Sequence, residues 1–190
     1  MTERPPWLQA IDLYPGRNGF RGMYLAREAR DIQRRWQNRA LIVTDRVWMA
    51  SNPSTVMAVV DLLVKDDEPS VREQIALHPK VTSEGLWVLA EDSEPSVRVH
   101  VAKSKKVTQE ILTRLASDRA DSVRCAVAQN VKTPPEVLER LAGSKHVETV
   151  WAVFANPKTP EHVRKALAPI QARVLGGKWR DLAEPLYKGV

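Results

Sequence analysis

The feature that most restricts this chain is a unit recurring every 26 residues. The segments PSVREQIALHPKVTSEGLWVLAED (69–92) and PSVRVHVAKSKKVTQEILTRLASD (95–118) are related on sight. So are DSVRCAVAQNVKTPPEVLERLAGS (121–144) and VETVWAVFANPKTPEHVRKALAPI (147–170), and DRVWMASNPSTVMAVVDLLVKD (45–66) is a weaker copy. Aligned without gaps, Leu63, Leu89, Leu115, Leu141 and Leu167 form one column, beside Val64, Ala90, Ala116, Ala142 and Ala168. A second pair of columns runs Met49, Ile75, Val101, Val127, Val153 and Ala50, Ala76, Ala102, Ala128, Phe154. A unit this short cannot bury an apolar face alone, so its copies must stack.

Each unit reads as two short helices. Helix A covers about 70–77, with Ser70, Ser96 and Ser122 placed to cap its first turn. Helix B covers about 82–91, capped by Thr82 and Thr108, while Pro134 and Pro160 suit its first turn. Ile111, Leu112, Leu115 and Ala116 form one helical stripe. Neither helix exceeds about three turns, so neither holds in water without its neighbours. Thirteen prolines and eight glycines agree with short elements. No segment alternates with the period of a strand. The expected fold is all-α: an α-solenoid of two-helix repeats over 45–168, in about five units, with essentially no β-sheet.

The residues Val123-Arg124, Val127-Ala128, Asn130, Thr133-Pro134, Glu136, Leu138 and Leu141-Ala142 carry a resemblance. So does the run Asn156-Pro157-Lys158-Thr159-Pro160-Glu161. The unit resembles the leucine-rich repeat variant family, across about 45–168. That resemblance implies a right-handed superhelix of alternating short helices, one of them often 3₁₀ in character. Some members of the family add a cysteine-rich iron–sulfur segment at the N-terminus. This chain has no cysteine before Cys125, so no iron–sulfur cluster and no other cofactor is expected. The D-x-x-P-x-V-R turn is also similar to HEAT repeats, which are the alternative fold.

The flanks read differently. Residues 1–22 form an irregular lead-in, and 23–44 a capping helix whose Arg27, Arg30 and Arg34 share a basic face. Residues 169–190 form a C-terminal cap or tail. The start lacks the apolar core of a signal peptide, and no apolar run is long enough to span a bilayer, so a soluble, cytoplasmic protein is expected.

A net charge of +6 invites a nucleic-acid reading, but its distribution weakens it. The body at 46–168 is nearly neutral, with 17 Lys and Arg against 16 Asp and Glu, and the excess sits at the two ends. The arginine column Arg46, Arg72, Arg98, Arg124 matches an aspartate column Asp66, Asp92, Asp118 at fixed spacing, which favours pairing between units over phosphate binding. A lysine row, Lys80, Lys106, Lys132 and Lys158, precedes helix B. Glu84, Glu110 and Glu136 follow four residues after the first three and can neutralise them; left free, the row is an anion edge. The most basic local patch is Arg98, His100, Lys103, Lys105 and Lys106.

Trp87 breaks a column of Asp61, Thr113, Glu139 and Lys165, so the repeat expects it exposed, as an interface anchor would be. Trp48 and Trp151, nearer the array ends, read as packing against caps. Asn130 and Asn156 share a column with His78 and Ser104, a pattern for loop capping. The four histidines follow no metal-ligand spacing, Cys125 reads as packing, and no catalytic motif occurs. The leading function is a non-catalytic scaffold that binds a protein partner. Nucleic-acid binding through the lysine edge and basic ends is the alternative, and a HEAT-like DNA glycosylase the lesser one.

Overall fold

The computed structural model describes residues 43–174, and among these every regular element is an α-helix. The A helices are α1 (Val43–Ser51), α3 (Pro69–Leu77), α5 (Pro95–Lys103), α7 (Asp121–Gln129) and α9 (Val147–Ala155). The B helices are α2 (Met57–Leu63), α4 (Ser83–Ala90), α6 (Gln109–Leu115), α8 (Pro135–Ala142) and α10 (Glu161–Val174). The lead-in at 1–22, the arginines Arg27, Arg30 and Arg34, and the tail from 175 lie outside the described residues.

The all-α solenoid expected from the period stands. The 3₁₀ helix implied by the resemblance does not, because no 3₁₀ segment occurs among the described residues. The apolar columns explain this: their spacing at i, i+1, i+4 and i+5 fits 3.6 residues per turn, whereas a 3₁₀ helix would rotate the stripe off the core. Val71, Ile75 and Ala76 on an A helix, and Leu86, Leu89 and Ala90 on the B helix that packs against it in the same unit, are all essentially buried. The pattern repeats with Val97, Val101 and Ala102 against Ile111, Leu112 and Leu115. The A helices pack on one another more closely than the B helices do. Alanine makes that possible, since Ala76, Ala102 and Ala128 keep the A backbones near each other.

The helix starts correct two sequence expectations. Ser70, Ser96 and Ser122 do not cap helix A, and in α7 the cap position falls to Ala120. Pro69 and Pro95 occupy the first turn, and the cap positions fall to Glu68 and Glu94, whose side chains make no cap bond. Proline at the first position satisfies the turn by removing a donor, which moves the boundary ahead of the serine. Pro134 likewise sits at the cap position of α8 rather than inside its first turn, where Pro135 stands. Thr82 and Thr108 cap as expected, accepting from Gly85 N–H at 3.0 Å and Ile111 N–H at 3.4 Å.

Candidate binding surface

Much of the repeating polar chemistry binds unit to unit. The Arg72 guanidinium grips Asp92 with two parallel bonds of 2.6 and 3.0 Å. Arg98 grips Asp118 the same way, at 2.7 and 2.9 Å. The remaining arginine nitrogen turns back: Arg72 Nη1 donates to the Asp66 carbonyl at 2.6 Å, and Arg98 Nη1 to the Asp92 carbonyl at 2.7 Å. One guanidinium thus ties the turn before its own helix to the turn that opens the next unit. Each aspartate also accepts from the N–H two residues on, at Glu68, Glu94 and Ala120. This Asx turn replaces the missing serine cap.

The column is not electrostatically uniform. Burial would raise the Asp118 carboxyl, but the bonds from Arg98 and from the Ala120 N–H hold it below the ordinary carboxylate range. Asp66 meets Arg46 in a 3.1 Å ion pair and has beside it Asp67, with which Arg46 also pairs. Burial therefore prevails there, and its carboxyl is pushed up to about 6. The column ends at the fourth unit, where Ser144 replaces aspartate. Arg124 keeps its bond to the Asp118 carbonyl at 2.6 Å but pairs with Asp121 in its own helix. In the fifth unit Val150 replaces the arginine.

A second set of bonds runs through the A–B loops. Asn52, His78, Ser104, Asn130 and Asn156 each accept from the N–H two residues on, at 2.8 to 3.4 Å. Asn130 and Asn156 also donate backwards, to the carbonyls of Ala102 at 2.6 Å and Ala128 at 2.7 Å. This is the loop capping the sequence suggested. His78 performs the same task with a ring. Its Nδ1 accepts from Lys80 N–H at 3.1 Å, and its Nε2 lies 2.9 Å from the Asn52 carbonyl. A backbone N–H only donates and a carbonyl only accepts, so the ring is neutral with its proton on Nε2. Burial pushes this imidazole below its ordinary range, and Lys80 and Lys106 push the same way.

The lysine row is drawn into this seam. Lys80 Nζ donates to the Thr55 carbonyl at 2.8 Å, Lys106 Nζ to Val81 at 3.3 Å, and Lys132 Nζ to Lys105 at 2.6 Å. The expected neutralisation by Glu84, Glu110 and Glu136 gives way to backbone acceptors of the preceding unit, within reach of a lysine stem. Glu110 bonds to Thr108, which holds its carboxyl low. Lys158 is exposed in the loop before α10. Of the basic patch, Arg98 is 5% exposed and committed to Asp118, and His100 bonds through Nδ1 to the Ser96 carbonyl. Lys103, Lys105 and Lys106 remain exposed.

An apolar patch also stands outside the frame. Trp87 is 41% exposed and Val88 48%, side by side on the outer face of α4. Trp48 and Trp151 are half-buried on their A helices. An open cleft of about 330 Å³ lies between the C-terminal ends of α5 and α7. Sequence reasoning missed it, although Ala126 stands where three preceding units hold Trp48, Gln74 and His100. Among the described residues no group of three or more His, Cys, Asp or Glu is placed to hold a metal, and no helix is long and apolar enough to cross a membrane. Burial pushes the Cys125 thiol up, and its sulfur lies 3.6 Å from the Glu148 carbonyl.

No curated protein and no solved structure matches the chain at a significant level. The family model described as leucine rich repeat variant matches residues 122–145, which run from the start of α7 through α8 into the next turn. That one stretch is therefore similar to a leucine rich repeat variant repeat, and it is set among units that share the chain's 26-residue frame.

Proposed function

We propose that the stack is a non-catalytic module that binds a protein partner across its exposed helical surface. One observation carries the reading: most members of the arginine and lysine ladders are engaged between units, while the largest exposed side chain that breaks the frame is Trp87, beside the exposed Val88. Arg72 and Arg98 are held by Asp92 and Asp118, and Lys80, Lys106 and Lys132 by loop carbonyls. A phosphate backbone would have to compete for those cations, and affinity for it rests on cations free to displace counterions. Trp87 and Val88 form the kind of aromatic-led patch that anchors protein interfaces.

The test has two stages. A photo-cross-linking residue at position 113, beside Trp87 in the column, captures the partner; titration of that partner with purified protein then measures affinity. Trp87→Ala weakens binding by about tenfold or more, as loss of a central anchor does. Retention on nucleic acid with a steep salt dependence, together with no effect of Trp87→Ala on any partner, overturns the reading in favour of nucleic acid.

A further inference from the structure

The cleft between α5 and α7 has a chemistry of its own. Its floor is Ala102, Ala126 and Val131, and its rim carries Lys103, Lys105 and Lys132. Lys132 is turned inward to the carbonyls of Lys105 and Val107, which leaves Lys103 and Lys105 facing outward. No acidic residue occurs between Glu94 and Glu110, nor between Asp121 and Glu136, and the cleft lining carries no carboxylate. Two local departures open the space. Ala126 replaces the larger residues of the three preceding units, and Lys105 and Val131 stand where Pro53, Pro79 and Pro157 occupy the other loops. Val131 is left 49% exposed at the edge of the floor.

A floor of small aliphatic groups takes one apolar side chain. Its volume lies at the low end of ligand pockets, which span roughly 300–1,000 Å³. The two outward ammoniums favour carboxylates on either side of that group. The lining has no aromatic ring on which a base could stack, and its third lysine is engaged, so single-stranded nucleic acid fits poorly. We propose that this cleft docks an acidic segment of the partner protein, seating one aliphatic side chain on Ala102, Ala126 and Val131 and its flanking carboxylates on Lys103 and Lys105. The inference rests on the protein-binding reading and names the partner's chemistry.

The experiment is a titration of the full ¹⁵N-labelled chain, followed by amide shifts. The probes are the blocked peptide Asp-Glu-Leu-Glu-Asp, the blocked peptide Lys-Lys-Leu-Lys-Lys, and a five-nucleotide oligothymidylate. The acidic peptide moves amides at 102–105 and 126–132, and the basic peptide does not. Lys103→Glu with Lys105→Glu weakens the acidic probe by about tenfold, as charge reversal beside carboxylates does. Ala126→Gln, which installs the residue that Gln74 places in this column, fills the seat and weakens it comparably without unfolding the unit. No localised shift at about 5 mM probe, a binding free energy below roughly 3 kcal/mol, overturns the proposal. Equal binding to both variants overturns it too, as does an equal or stronger response to oligothymidylate. If the cleft fails while Trp87→Ala still weakens a captured partner, only the cleft is lost. If Trp87 has no effect and the cleft binds, the wider surface reading is revised and the acidic docking point stands.

Discussion

His78 is a titratable residue at a place where the other units use Asn52, Ser104, Asn130 and Asn156. It is 2% exposed, with both ring nitrogens committed, so the proton that would charge it has no vacant site. Its folded-state affinity for a proton is lowered from the ordinary 6.5 by burial, with Lys80 and Lys106 adding to the effect. The unfolded chain then binds the proton more readily. The contribution to stability is full above the unfolded value and is lost as pH falls below about 6.5. His78→Asn should keep both bonds, as Asn156 does with the Asn130 carbonyl and the Lys158 N–H, and remove this dependence. Melting temperatures of the two proteins, compared at neutral pH and near pH 5, check it: wild type loses ground to the variant on acidification. A constant difference across that range would show that the ring is not the acid-sensitive group.

At the scale of elements, what joins one helix pair to the next is an arginine and an aspartate with side chains less than a tenth exposed at Arg98 and Asp118. Removing one partner strands the other, so Asp118→Ala should cost about 3–5 kcal/mol in denaturant melts. Ser144→Asp makes the opposite change. It places a carboxylate where the column lacks one, lets Arg124 leave Asp121 for a two-bond grip, and should add about 1 kcal/mol. This ladder was legible in the sequence because both members recur at one spacing. The lysine row was only half legible: its cations recur, but their acceptors are backbone carbonyls, which every residue has and which leave no trace in composition. The serine caps misled because the residue before each serine already starts the helix, a proline at 69 and 95 and Asp121 in α7. Thr133 and Thr55 bond to the carbonyls of Val127 and Met49, yet Val81 and Val107 fill the same column as isosteres, so shape is required there and the hydroxyl is not. The cleft escaped because it comes from what neighbouring residues fail to fill.

Across the whole stack, stability is a sum of units and seams, and the seams are unequal. The join between α7–α8 and α9–α10 has the Asn156 bonds but neither the arginine–aspartate pair nor a fifth arginine, since Val150 stands there. Hydrogen–deuterium exchange should therefore find the amides of α9 and α10 opening before those of α3 to α6, and Ser144→Asp should slow them. Uniform protection across the helices would refute the unequal seam. Three of the bonds that cross a seam have a stride equal to the repeat. Asn156 reaches the Asn130 carbonyl, His78 the Asn52 carbonyl and Lys80 the Ser54 carbonyl, each 26 residues back. Excising residues 93–118 would bring Arg119 after Asp92, return the Asp92 carbonyl to Arg124 in place of that of Asp118, and give Asn130 the Ala76 carbonyl in place of that of Ala102. Every donor would meet an equivalent acceptor. A cut one residue longer or shorter would put each of them out of step, so the chain can change length only by whole units.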